Sequence, residues 1–203
     1  MSEIVILGAG GHAKVIADIL LSCGHTVKGF LDDRVTGAVL GLPVLGILED
    51  APRFSSCRFV IGIGDNALRE NLAERFDLPW HTAIHPTAVV CREAVIGEGS
   101  VIMAQAVIGP SSRVGRHVIV NTAAVAEHDC IVEDFAHLSP RAVLCGGVRA
   151  GRRVHIGAGA VVLPGIRLCA DTVAGAGAAV TANVDSPGVM AGVPARMLRR
   201  RHV

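Results

Sequence analysis

Between Ile84 and Val184 the sequence repeats every six residues, and the frame never slips. Stepping by six from Ile84 reaches Val90, Ile96, Ile102, Ile108, Val114, Val120, Ala126, Val132, Leu138, Leu144, Ala150, Ile156, Val162, Leu168, Ala174 and Val180, all aliphatic. The position four residues further on is never charged, from Ala88 and Ala94 through Ala136 and Ala142 to Ala178 and Val184. A helix repeats its apolar face every 3.6 residues or so and a half-buried strand about every two, so neither explains a period of six. A parallel β-helix does, because each hexad is one short strand plus a turn. Three hexads close a triangular coil and stack residues eighteen apart at roughly 4.8 Å. Seventeen hexads make between five and six coils, a prism roughly 25 Å tall at that spacing. The aliphatic position points inward and the small one fits the corner. The rival fold, a Val- and Gly-rich sandwich, would need accidental spacing over the whole stretch.

Charge and composition narrow the partners. The formal net charge of +1 provides no basic field for nucleic acid and no acidic tail. Tyr is absent and Trp occurs once, which argues against base-stacking platforms. Cys23, Cys57, Cys91, Cys130, Cys145 and Cys169 form no C-x-x-C pair and no metal-site spacing. They read as reduced, packed thiols in a reducing compartment. The apolar run Ile4 to Leu7 lacks a basic flank, so it does not read as a signal peptide. No apolar run approaches the length of a membrane span. The expectation is a cytoplasmic protein that partners neither membrane nor nucleic acid.

Residues 1–80 follow a different grammar. Ile4 to Leu7 reads as a buried parallel strand, followed by Gly8-Ala9-Gly10-Gly11-His12-Ala13 and helical spacing from Lys14 to Leu21. Val27 to Leu31 is a second strand ending in Asp32-Asp33, and Pro43 to Gly46 is a turn with an edge segment. Arg58 to Gly64 is a third strand, with Asp65-Asn66 as the cap of a helix to about Phe76. The order β-α-β-β-α gives a small parallel sheet. Gly8, Gly10 and Ala13 fit the dinucleotide fingerprint, with an acidic residue about twenty positions on. Taken literally the fingerprint indicates NAD, but eighty residues make only half of a full dinucleotide fold. A mononucleotide-scale ligand meeting Asp32-Asp33 is preferred. The alternatives are a tight turn that binds nothing and, for Asp33, a solvated turn residue.

Within the hexads, Asn121 to Cys130 carries the polar chemistry. His128 shares an eighteen-residue column with Pro110, Gly146 and Pro164, and Asp129 stacks under Gly147. A carboxylate beside the imidazole, with bare glycine backbone above it that a bulky ligand can approach, suggests a catalytic role for His128. His137 lies directly below His155 in another column. His128, His137 and His155 do not share a column, and no Cys or Glu completes a tetrahedral set, so no metal is expected. His81 and His85 read as structural or exposed. Arg199-Arg200-Arg201 is either a solvated end or a contact for anionic groups.

These residues carry a resemblance. The hexads plus Gly192-Val193-Pro194-Ala195-Arg196 resemble the left-handed β-helix acyltransferases. Ile6-Leu7-Gly8-Ala9-Gly10-Gly11-His12-Ala13-Lys14, Asp32-Asp33, Ile63-Gly64-Asp65-Asn66 and Asn121-Thr122 with Glu127-His128-Asp129-Cys130 narrow it. They are similar to the nucleotide-sugar N-acetyltransferases acting on 4-amino-sugars, with which the sialic acid O-acetyltransferase-like proteins share a two-domain layout. The resemblance implies an α/β nucleotide-sugar domain over residues 1–80 and a left-handed parallel β-helix with a short tail over residues 81–203. It implies a homotrimer with sites between neighbouring prisms and acetyl-CoA as co-substrate. It places the general base at His128 and the carboxylate that raises its basicity at Asp129, where relatives often have Glu. It assigns the nucleotide-sugar to Gly10, Gly11, His12, Asp32, Asp33 and Gly64. It assigns acetyl-CoA to Asn121, His137, Gly146, Ala158 and Ala176. Ser139-Pro140-Arg141 departs from the small, flexible stretch common in relatives.

The chemistry fits these residue types. A near-neutral histidine can take the proton of an attacking amine or hydroxyl. Asp129 would hold the imidazole tautomer, and an amide near Gly146 would receive the oxyanion. The expected activity is direct N-acetylation of a UDP- or GDP-linked 4-amino-4,6-dideoxyhexose for surface glycan synthesis. O-acetylation of sialic acid or another sugar, a non-enzymatic nucleotide-binding scaffold, and an NAD-dependent enzyme remain open.

Overall fold

The computed structural model describes residues 3–198; the basic run Arg199-Arg200-Arg201 lies outside them. Ile4–Leu7 (β1) is buried along its whole length, as a continuous apolar run requires. It leads into Gly11–Ser22 (α1), Val27–Leu31 (β2), the hairpin Ala38–Val39 (β3) and Leu42–Gly46 (β4), Arg58–Ile61 (β5) and Asn66–Arg75 (α2). The sheet order is β3-β4-β2-β1-β5. Every pairing is parallel except β3 with β4, which forms an antiparallel edge. The 3-10 turn Leu48–Phe54, with Pro52 inside it, went unread in the sequence. The first helix starts three residues before its apolar spacing begins, because Gly11 and His12 form a polar opening turn. Asp65 caps α2 as its side chain accepts from the Leu68 amide at 2.8 Å.

Two glycines set the strand-to-helix geometry. Gly8 has φ +100°, a region closed to most side chains. A Cβ at Gly62 would sit 2.6 Å from Cβ of Ala13, so α1 rests directly on the sheet.

From Ala83–Ile84 onward the hexads become two-residue strands. Each pairs in parallel with the strand eighteen residues away, for example Ile119–Val120 with Val101–Ile102 below and His137–Leu138 above. This closes three parallel sheets around one apolar core, the architecture of a left-handed β-helix. The second residue of each strand points inward and the first outward, as strand alternation dictates. One face therefore presents Ala83, Val101, Ile119, His137, His155 and Val173. The next presents Val89, Val107, Val125, Val143, Val161 and Ala179. The third presents Val95, Arg113, Ile131, Arg149 and Arg167.

The α/β unit sits on the lower part of the first face. Residues of α1 share an apolar cluster with Ala83, Val101, Met103 and Ile119. At the adjoining corner Glu70 of α2 pairs with Arg152 and Arg153, and Arg153 also holds Asp171. Among the described residues no helix is long and apolar enough to cross a membrane.

Candidate active site

His128 and Asp129 stand at the corner between the valine face and the arginine face. Asp129 adopts the left-handed conformation (φ 59°) that turns the coil there. Nδ1 of His128 lies 2.8 Å from Oδ2 of Asp129, and both side chains are exposed. The carboxylate contact thus forms despite the short aspartate side chain. It favours the tautomer with the proton on Nδ1, leaving Nε2 as the free base.

The glycine gap above His128 differs from the sequence reading. It is filled by the imidazole itself, because a Cβ at Gly146 would overlap Nε2 and Cε1 of His128. Gly146 thus makes room for the ring rather than directly for a ligand. The Gly147 amide donates to the His128 carbonyl at 2.9 Å. The Gly146 amide makes no backbone hydrogen bond among the described residues. Cys130, two positions on, points into the core and donates to the Cys145 carbonyl at 3.3 Å. Burial pushes its thiol up, so it is not a poised nucleophile.

A second assembly lies where α/β unit and coil meet. Its groove, about 550 Å³, is lined by Gly64, Asp65, Asn66, His137, Arg153, His155, Asp171 and Val173. His137 stacks on His155 at 4.8 Å between centroids, with planes 8° apart. His12, reaching over from α1, lies 6.4 Å from His137. Oδ1 of Asn121 accepts from the Thr122 amide, which turns Nδ2 toward Nε2 of His137 at 3.1 Å. Nε2 is then the acceptor, and the proton sits on the buried Nδ1. Ser139 Oγ lies 2.8 Å from Nε2 of His155. Burial first, then the charge of Arg69, lowers His12 to about 4. Burial, His155, Arg69 and His12 together lower His137 to about 3. These rings are neutral at physiological pH and act as hydrogen-bonding groups, not cations.

The remaining assigned positions divide between two places. Ala158 and Ala176 are exposed one above the other at the corner between the histidine face and the valine face, the corner that also carries Asn121. Asp32 and Asp33 line a separate cavity of about 370 Å³, with Gly8, Arg34, Ile63 and Asn71, at the carboxyl ends of the parallel strands. Asp32 is heavily committed to the backbone, accepting from Ala9 at 2.7 Å, Arg34 at 2.8 Å and Val35 at 2.9 Å. Burial pushes its carboxyl up, but the amides of Val35, Arg34 and Ala9 outweigh this and hold it below the usual range. Asp33 accepts from the Leu48 amide at 3.0 Å. Gly10, Gly11 and Gly64 have neither a positive φ nor any neighbour within 4 Å of a Cβ built there. Nothing among the described residues requires glycine at these three positions.

The structure therefore brings Gly64, His12 and His137 together and keeps His128, Asp129 and Gly146 on another edge. His155, Asn66, Arg153 and Asp171 were missed as groove residues. The eighteen-residue column placed His155 over His137, but no local pattern placed α2 against them. Among the described residues no group of three or more His, Cys, Asp or Glu is arranged to hold a metal ion.

Comparison with known proteins agrees with this fold. Residues 3–76 match the family described as the PglD N-terminal domain. A histidine-to-alanine mutant of GDP-perosamine N-acetyl transferase from Caulobacter crescentus, in complex with CoA and GDP-perosamine, is 40% identical. The match covers 98% of each chain with a TM-score of 0.95. The acetyltransferase domain of PglB from Neisseria gonorrhoeae FA1090, in complex with acetyl coenzyme A, is 37% identical, with 97% and 98% of the two chains covered and a TM-score of 0.94. UDP-N-acetylbacillosamine N-acetyltransferase of Bacillus subtilis (strain 168) is 41% identical over 113 residues, 51% of this chain. The chain spans about half the length of that curated relative, 52%, and 24% of an uncharacterized mimivirus protein.

Proposed function

Because the chain belongs to the PglD, PglB and PerB family of hexapeptide-repeat N-acetyltransferases of nucleotide amino-sugars, we propose that it transfers acetyl from acetyl-CoA to the amine of a nucleotide-linked 4-amino-sugar. The acceptor class is a UDP- or GDP-4-amino-4,6-dideoxyhexose made for surface glycans. The observation that carries this reading is the exposed His128–Asp129 pair beside a glycine that makes room for the imidazole.

In this reading Nε2 of His128 takes the proton as the amine attacks the thioester carbonyl. Asp129 stabilises the imidazolium that forms, and the Gly146 amide receives the developing oxyanion. The tetrahedral adduct collapses to the amide, and the leaving CoA sulfur takes the proton back from the His128 imidazolium, a direct transfer consistent with the inward-facing Cys130. Asn121, His137, Gly146, Ala158 and Ala176 hold acetyl-CoA. Gly10, Gly11, His12, Asp32, Asp33 and Gly64 hold the nucleotide-sugar, with the three glycines allowing close backbone approach.

The site is completed by a second copy. The His128 corner and the Asn121–Ala158–Ala176 corner flank the valine face, an arrangement that supports a site shared between chains. That face is a ladder of five valines and an alanine left uncovered in one chain, with Val89 at 55% exposure. A heterologous contact of this kind closes into a ring, here a homotrimer. The division near residue 80 and a cytoplasmic setting complete the proposal, the latter supported by six unpaired thiols.

The proposal is tested by thiol release from acetyl-CoA with UDP-, GDP- and dTDP-4-amino-sugars. Release with one of them is expected; release only with sialic acid or another hydroxyl acceptor would overturn N-acetylation. A second expectation concerns the ring pocket. Gly146→Ala should displace the His128 imidazole and cut turnover roughly 10- to 100-fold, the scale of a small misplacement. The thermal midpoint should hardly move, because the overlapped atoms belong to an exposed side chain. Unchanged turnover in the folded variant would contradict the role given to Gly146.

A further inference from the structure

Among the described residues, Arg69 of α2 is the largest fully buried side chain, 1% exposed. Burying a guanidinium is costly unless its donors are satisfied, and these are. Nε donates to the His117 carbonyl at 2.7 Å. Nη1 donates to the Ile63 and Gly64 carbonyls at 3.2 and 3.1 Å. Nη2 donates to the Phe135 carbonyl at 2.7 Å, the Ala136 carbonyl at 3.3 Å and Oδ1 of Asn66 at 2.8 Å. Burial lowers its pKa to about 10, so it remains charged at neutral pH.

Four of the six partners fall into two sets. Ile63 and Gly64 form the loop after β5, which supplies one wall of the groove. Phe135 and Ala136 immediately precede His137, which supplies the opposite wall. One side chain thus spans from the wall assigned to the nucleotide-sugar to the wall assigned to acetyl-CoA. Only the planar fork of arginine satisfies carbonyls on both sides at once; a lysine has three donors on a single point.

We propose that Arg69 is a positioning residue that holds the Gly64 loop and the His137 strand at the separation at which the groove receives nucleotide-sugar and acyl donor together. This rests on the transfer reading above. The titratable and charged groups around the guanidinium are His12 of α1, Asp65 at the α2 cap, and His117, His137 and His155 of the coil. Burial is the main cause that keeps these histidines neutral, and the Arg69 charge adds to it. The fork and the charge are therefore separable by mutation.

Arg69→Lys keeps the charge and loses the fork, whereas Arg69→Met loses both. Calorimetric Kd values for CoA, UDP and GDP are read beside KM, kcat, the pH profile and the thermal midpoint. Both variants are expected to weaken the preferred nucleotide and CoA about tenfold, with KM rising more than kcat falls. Only Arg69→Met is expected to move the acid limb of the CoA and nucleotide Kd profiles to higher pH, because the groove histidines then protonate more readily. Folded variants with wild-type Kd values, KM values and acid limb, and only a lower thermal midpoint, would reduce Arg69 to a structural prop. If neither variant folds, Asn66→Ala removes the one side chain among the described residues that accepts from the guanidinium. It should weaken both ligands about threefold, and unchanged affinities would overturn the proposal. Binding is read without turnover, so an inactive wild type whose Arg69 variants lose affinity counts against the transfer reading alone.

Discussion

Replacing His128 with alanine is expected to lower kcat by about 10²–10⁴-fold, the range for loss of a general base. The effect should be chemical rather than structural. The imidazole is exposed, and its hydrogen bond is to its own neighbour Asp129. Substitutions of that kind change stability by less than about 0.5 kcal/mol. The pocket that Gly146 leaves for the ring would stand empty without disturbing the coil pairing, where the Gly147 amide holds the 128 carbonyl through the backbone. Acetyl-CoA affinity should change little, because the assigned donor-binding positions lie mainly on the other corner. Residual activity should rise with pH as the free amine fraction of the acceptor grows. Turnover within a few-fold of wild type would remove His128 from the mechanism.

Mixing two inactive variants should restore activity. In His128→Ala the corner carrying the base fails. In Ala158→Trp the indole would fill the donor corner, where Ala158 is exposed. Each variant alone has every site broken. In mixed trimers a site draws one corner from each of two neighbours, and each neighbour supplies a working half with probability one half. Random assortment then restores about one quarter of the sites, as a heterologous ring requires. A chain that built its site alone would gain nothing from mixing. Co-refolding or co-expression, followed by thiol release, reads the outcome.

The two halves of the molecule were legible to different degrees. The hexad frame from Ile84 to Val180 specifies the coil because one inward residue per six can satisfy only a triangular prism, and the eighteen-residue register follows. The buried strands and Asp65 cap of the α/β unit were legible for similar local reasons. The 3-10 turn Leu48–Phe54 was not, since Pro52 and mixed polarity carry no periodic signal. The pairing of His128 with Asp129 followed from adjacency in a turn. The groove at the junction did not, because its walls come from α2 and from coils some seventy residues later. Nor did the hexads show that the imidazole itself fills the space above it: a glycine stacked over a histidine reads the same whether a ligand or the ring occupies the gap. Arg69 was invisible for a related reason, since a charge on an otherwise polar helix signals solvent until the coil is packed against it.

The most direct test of N-acetyl transfer is the structure of the product. Enzyme, acetyl-CoA and the nucleotide 4-amino-sugar that releases thiol are incubated, and the modified atom is located by NMR. The account predicts one acetyl group as an amide on the sugar nitrogen, stable to hydroxylamine, with the nucleotide still attached and no product from His128→Ala. An acetyl ester on a hydroxyl, or an equal yield from the His128 variant, would contradict it.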